Sequence, residues 1–292
     1  MSEQVEKMAS RRWGLQPEEL AQRDTVLRPG LFAERVFVVS GGGSGMGRAT
    51  AFLLARLGAQ VMICGRDLEK LQAASADAER LLGAPLAVHQ LNIRDEDAVD
   101  AFAEACVERF GRVDHLVNCA GGQFPQEALA FSAKGWRAVV DTNLNGTWWM
   151  MQAFARRWQA RGAPGNIVNI VAVIDRGIPQ SAHTAAARAG VVYLSKSVAV
   201  EWAPLEIRVN CVAPGTIETE GFNNYPPALL ERLGRGNAMR RLGDAWDVAQ
   251  AVAYLCAPSG KFVTGEMLHI DGGMQLWGTN WPLGVPEYYR ES

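Results

Sequence analysis

The stretch "VFVVSGGGSGMG" (36–47) decides the fold. Four apolar residues, Val36 to Val39, run into a glycine-rich turn, and "RATAFLLARL" (48–57) then repeats its apolar residues at helical spacing. A strand that ends in clustered glycines and feeds straight into a helix is the opening of a βαβ unit. The glycines allow a tight turn and close backbone approach, and the helix N-terminus attracts a diphosphate. Glycines alone would be a weak signal. Their placement between the first strand and the first helix makes a dinucleotide turn the better reading than a plain loop.

The same alternation extends outward from this unit. "QVMIC" (60–64), "LAVHQL" (86–91), "HLVN" (115–118), "NIVNIV" (166–171), "IRVNCV" (207–212) and "MLHI" (267–270) read as strands. Helical spacing is expected at 47–57, 68–82, 96–110, 134–161, 185–203 and 245–255. Strands that alternate with crossover helices of one hand build a parallel, doubly wound α/β sheet covered on both faces. Three segments are expected: a polar N-terminal extension (1–34), a dinucleotide-binding catalytic domain (35–275) and a C-terminal tail (276–292) packing on the domain or on a neighbouring subunit.

Composition narrows the function classes. The chain has 292 residues, 48% hydrophobic, enough for a full core, and a formal charge of −2, which offers nothing to nucleic acid or an anionic membrane. Five scattered cysteines without a CxxC pair read as free thiols, and four scattered histidines give no metal site. No apolar run reaches membrane-spanning length and the N-terminus lacks a signal-peptide centre, so a soluble cytoplasmic protein is expected.

The end of the second strand bears on the cofactor. "MICGRD" (62–67) offers Gly65 and then Arg66 where an acidic residue would bond the adenosine ribose hydroxyls. A guanidinium there pairs bidentately with a 2′-phosphate, which favours NADP(H). Asp67 is either a helix cap or a second ribose contact.

Several motifs now resemble the short-chain dehydrogenase/reductase family: "SGGGSGMG" (40–47), "NCAG" (118–121), "NLNG" (143–146), "VAPGTIET" (212–219) and "TGEMLHIDGG" (264–273). The resemblance implies a Rossmann-like, seven-stranded parallel sheet in three layers, hydride transfer, and a homotetramer or dimer. It implies cofactor contacts from Gly41, Gly43, Ser44, Gly45, Met46 and Gly47, from Arg66, Asn92 and Ile93, and from Asn118, Ala120, Gly121 and Arg188. Pro214, Gly215, Ile217 and Thr219 complete that set, with Thr219 on the nicotinamide carboxamide. The family's active-site asparagine falls on Asn143, but the rest of its catalytic set is missing. In "HTAAARAGV" (183–191) Thr184 stands at the tyrosine position and Arg188 at the lysine position, and in "IVNIVAV" (167–173) Ala172 stands at the serine position. Tyr193 and Lys196, in "YLSK" (193–196), have the wrong spacing. "LNIRDE" (91–96), "LVNCAGGQF" (116–124) and "GWRAVVDTNLNGTW" (135–148), together with these departures, are similar to the peroxisomal trans-2-enoyl-CoA reductases and more distantly to the 2,4-dienoyl-CoA reductases.

The departures have a chemical logic. Ketone reduction needs a prompt proton donor, which a tyrosine beside a lysine supplies and an arginine does not. Hydride addition to the β-carbon of an enoyl thioester spreads charge onto the thioester oxygen, so oxyanion stabilisation matters most. Thr184, Asn143, His183 and the backbone around Gly121 to Gln123 are the candidate donors, and Gln123 and Phe124 the candidate acyl-pocket residues. Each has a plainer role available: His183 or Thr184 as a helix cap, Asn143 as a structural bridge. Arg11, Arg12 and Arg157 are either a patch for the phosphates of coenzyme A or solvated surface. The expected function is therefore NADPH-dependent reduction of a conjugated C=C bond in an enoyl thioester such as an acyl-CoA. The alternatives are a carbonyl or alcohol oxidoreductase on a bulky, steroid-like substrate with His183 as acid, and a non-catalytic NADP-binding scaffold.

Overall fold

The computed structural model describes residues 12–224, 233–276, 282 and 285–290. Its centre is a parallel sheet of seven strands: β1 (Val36–Ser40), β2 (Gln60–Gly65), β3 (Ala87–Gln90), β4 (His115–Asn118), β5 (Gly165–Ile170), β6 (Ile207–Pro214) and β7 (Met267–Ile270). They lie in the order β3-β2-β1-β4-β5-β6-β7. The apolar runs follow from burial on both faces, which removes the in-out alternation of a half-exposed strand. β1, β4 and β5 are buried along their whole lengths.

The helices fill both faces: α1 (Pro17–Gln22), α2 (Gly45–Arg56), α3 (Leu68–Leu82), α4 (Glu96–Phe110), α5 (Ala133–Val140), α6 (Gly146–Arg161), α7 (Ala182–Glu201) and α8 (Ala245–Cys256). On one face Phe52, Leu53, Ile63 and Val252 share a core, and on the other Val38, Phe102, Leu116 and Phe154 do. The chain winds outward from β1 through β2 to β3, then returns to lay β4 against the other side of β1. That reversal opens a crevice at the carboxyl ends of β1 and β4, where this architecture binds ligands.

Three details depart from the sequence pattern. The helix expected over 134–161 is interrupted by a π-helical turn, Asp141–Asn145, between α5 and α6. α7 opens at Ala182, so Thr184 lies inside its first turn instead of capping it. The N-terminal segment also contributes to the core: Trp13, Leu20 and Phe32 are buried. Arg56 donates to the carbonyls of Leu20 and Arg23, and the Trp246 indole N–H donates to Asp24 O at 2.9 Å. That fastens the segment to α2 and α8. Near the other end, the Tyr289 hydroxyl donates to Ala238 O at 3.3 Å, and most of the expected tail lies outside the described residues.

All five cysteines carry free thiols. Among the described residues there is no cluster of potential metal ligands, and no helix is long and apolar enough to cross a membrane.

Candidate active site

The glycine turn forms a cradle. Gly41 (φ 71°) and Gly45 (φ 52°) adopt left-handed conformations that favour glycine. A Cβ on Gly47 would lie 2.2 Å from Gly41 O, and one on Gly41 would lie 2.9 Å from the Ala120 backbone. A side chain at Gly41 would push the turn off the segment that leaves β4, and one at Gly47 would clash within the turn itself. A cavity of about 550 Å³ lies over the turn, lined by Gly41, Gly43, Ser44, Arg66, Asn92, Ile93, Ala120 and Gly121. A second, about 580 Å³, shares Gly41, Gly43, Ser44, Ala120 and Gly121 and continues past Gly45, Met46 and Gly47 to Thr219. Most of the expected cofactor residues, far apart in sequence, thus line one continuous surface. With the N-terminus of α2 at its edge, the glycine turn and its absence of side chains fit a dinucleotide diphosphate.

At the end of β2, the Asp67 carboxylate caps α3 by accepting the Lys70 N–H at 3.1 Å. That bond and the Lys70 ammonium hold its carboxyl below the usual range. The capping reading of Asp67 is the one the geometry supports. Lys70 lines the same cavity as Arg66. Sequence reading missed Lys70, although its spacing of one turn after Arg66 is visible once α3 is known to start at Leu68.

Five expected cofactor residues do not line these two cavities: Arg188, described below, and Asn118, Pro214, Gly215 and Ile217. The Asn118 side chain donates to Asn169 Oδ1 at 2.8 Å and knits β4 to β5. Pro214 ends β6, Gly215 N–H donates to Ile270 O at 3.0 Å, and Ile217 lines a separate cavity with His269 and Asp271.

Asn143 sits in the π turn, which aims its side chain at two other elements. Its Oδ1 accepts the Gly122 N–H at 3.0 Å, and its Nδ2 donates to Gly122 O and to Thr184 Oγ1, each at 3.0 Å. The amide is fully used in clamping the loop after β4 to α7. The Thr184 hydroxyl, accepting from Asn143, keeps its own proton free to donate.

Arg188, one turn further along α7, is 8% exposed. A Cβ on Gly121 would lie 2.1 Å from its Nη2, so the guanidinium rests directly against the loop after β4. Burial lowers its pKa to about 10, which leaves it a cation at neutral pH. Its thiol neighbour Cys119 is pushed up to about 12 by burial and supplies no counter-charge. Among the described residues no carboxylate pairs with Arg188. A buried, unpaired guanidinium is expensive unless a ligand supplies acceptors.

His183 is wholly buried between the rings of Phe124 and Phe131, with centroids at 4.7 and 4.5 Å. Its Nδ1 accepts the Thr184 N–H at 2.7 Å and its Nε2 has no partner. The ring acts as a local brace for the start of α7. Phe124 is exposed, as is Gln123 beside it. Tyr193 and Lys196 lie on the surface, the ammonium 5.8 Å from the ring centroid. Arg157 is engaged by Asp100 and Glu104, Arg12 is exposed, and Arg11 lies outside the described residues.

Comparison with known proteins agrees with this geometry. The family model described as enoyl-(acyl carrier protein) reductase matches residues 41–275. A probable 2,4-dienoyl-CoA reductase of Bacillus subtilis is 34% identical over 83% of this chain and 97% of its own length. A 3-oxoacyl-[acyl-carrier-protein] reductase of Thermotoga maritima is likewise 34% identical, over 83% of this chain and 98% of its own. Among solved structures, the citronellol catabolism dehydrogenase of Pseudomonas aeruginosa superposes with a TM-score of 0.77 at 35% identity, covering 86% of this chain and 99% of that one. With its glycine cradle, its sheet order and a family match over most of its length, the chain belongs to the short-chain dehydrogenase/reductase family of oxidoreductases.

Proposed function

We propose that this protein reduces a carbon–carbon double bond conjugated to a thioester carbonyl, in an enoyl- or dienoyl-CoA, using NADPH. The observation that carries the reading is the pair Thr184 and Arg188, where a buried cation without a counter-ion replaces the tyrosine and lysine of a carbonyl reductase. The bound nicotinamide supplies a hydride. The chain's own residues then have to stabilise negative charge on the thioester oxygen as the β-carbon accepts that hydride. Thr184, with its lone pair held by Asn143, presents a hydroxyl proton to that oxygen. Arg188 provides fixed positive charge in a site shielded from water, where charge acts more strongly than in bulk. The α-carbon is protonated afterwards, so no acid has to act in concert with hydride arrival. Phe124 and Gln123 border the acyl side.

The likeness to 2,4-dienoyl-CoA reductases supports C=C reduction, and the equal likeness to a 3-oxoacyl reductase supports reduction of a carbonyl. His183, which that second reaction would need as its acid, is wholly buried between the rings of Phe124 and Phe131. The NADPH preference rests on Arg66 and Lys70 beside the cavity and on Gly65 leaving out a carboxylate. Arg66→Ala is expected to reduce discrimination against NADH, measured as the ratio of kcat/KM values.

The deciding experiment follows NADPH oxidation with 2-enoyl-CoA, 2,4-dienoyl-CoA and 3-oxoacyl-CoA thioesters of matched chain length. Turnover with the unsaturated thioesters at rates well above the 3-oxo compounds is expected. Turnover confined to the 3-oxo compounds would overturn the proposal, and tight binding without turnover on any acceptor would leave a scaffold.

A further inference from the structure

Glu220 lies next to Thr219 in the loop after β6 and reaches back to the glycine turn. One carboxylate oxygen accepts the Gly45 N–H, the first of α2, at 3.0 Å, and the other pairs with Arg48. Arg48 also donates to Leu15 O at 2.8 Å, so the N-terminal segment holds it in place. Gly14 is pressed so close that a Cβ there would lie 2.8 Å from the Glu220 backbone nitrogen. Glu220 shares the 580 Å³ cavity with Ser44, Met46 and Thr219, and Lys70 and Asp77 are the other charged groups on its wall besides Arg48. An anion at the end of a helix that must receive two phosphates works against them. It occupies one N–H and repels like charge. Dinucleotide binding explains a turn bare of side chains at this helix start but gives no reason for a carboxylate there.

We propose that the Glu220–Arg48 pair sets the affinity for the dinucleotide: Glu220 weakens diphosphate binding, and Arg48 limits that weakening by neutralising it. The assignment rests on the dinucleotide reading of the glycine cradle and is independent of which bond is reduced. Removing the carboxylate leaves Arg48 facing the cavity uncompensated, whereas removing the guanidinium leaves Glu220 uncompensated. The two substitutions therefore act in opposite directions. A pair that merely tethers the loop would weaken binding in both.

The test titrates the full chain with NADPH and NADH, read by quenching of its tryptophan fluorescence, at low and high salt. Glu220→Gln, which keeps an acceptor for Gly45, is expected to tighten binding by about tenfold at low salt. Arg48→Met is expected to weaken it by a similar factor, and both differences should shrink as salt screens them. Unchanged or weaker binding in Glu220→Gln overturns the proposal, and that variant decides alone if Arg48→Met does not fold. A wild-type chain that binds neither dinucleotide would instead overturn the cradle reading beneath it.

Discussion

Thr184 and Arg188 stand one turn apart on α7, Thr184 bonded to Asn143 and Arg188 resting against the loop after β4. Thr184→Val keeps the shape and removes the hydroxyl. Its kcat is expected to fall by about 10²–10³, the usual effect of losing one oxyanion donor, with dinucleotide affinity unchanged and activity largely restored in Thr184→Ser. Gly121→Ala should be as damaging for a steric reason, since the new methyl carbon would lie 2.1 Å from the Arg188 guanidinium. Steady-state kinetics together with dinucleotide titration distinguishes the two, because displacing Arg188 should also weaken binding. The Thr184 and Arg188 positions could be picked out because "HTAAARAGV" (183–191) resembles the family segment that carries its tyrosine and lysine. The engagement of the Asn143 amide, the burial of His183 under Phe124 and Phe131, and the reach of Glu220 to Gly45 were not. Each depends on a partner brought in from a distant loop, and no local pattern encodes that.

Among the elements, the starts of α3, α4 and α8 fall where helical spacing places them. Asp67 and Asp95 each accept a backbone N–H from the first turn of the helix that follows, a role that their residue type favours. Asp244 does more: it accepts the N–H groups of Trp246 and Asp247 at 2.9 and 3.0 Å, and Asp247 accepts the Asp244 N–H in return. It also pairs with Arg23 of the N-terminal segment. Asp244→Ala is therefore expected to destabilise the fold by about 1–2 kcal/mol, measured by urea unfolding. The π turn at Asp141–Asn145 was not legible, because one extra residue in a helical turn leaves the apolar spacing of a long helix nearly unchanged. It lies where Asn143 has to face Gly122 and Thr184 together, a common setting for such turns.

For the molecule as a whole, the apolar strand runs and intervening helices gave the doubly wound sheet, since burial on both faces leaves a strong imprint on composition. The N-terminal segment read as a polar extension because its buried residues, Trp13, Leu20 and Phe32, are too far apart to form a periodic pattern. Global stability should also depend on pH through His115. It is buried against Phe37, and burial lowers its pKa from 6.5 to about 3. The unfolded chain takes up this proton near pH 6.5 and the folded protein only near 3, so the unfolded state binds more protons between them. The contribution of a neutral His115 is complete above about pH 6.5 and is lost as the pH falls towards 3. Urea unfolding between pH 7 and 4 should show a shallower decline in His115→Gln than in wild type.

The amides of Asn118 and Asn169 and the hydroxyl of Ser195 form a chain of hydrogen bonds across β4, β5 and α7. Only one alignment of the three elements closes it. A sheet that slipped by one residue would leave dry amides as well as misplaced apolar groups, and would be rejected on both counts. Ser195 follows Arg188 by about two helical turns and shares its side of α7. The alignment check that completes the core therefore also aims the cation, so a correctly assembled sheet delivers a correctly pointed α7 without a separate adjustment.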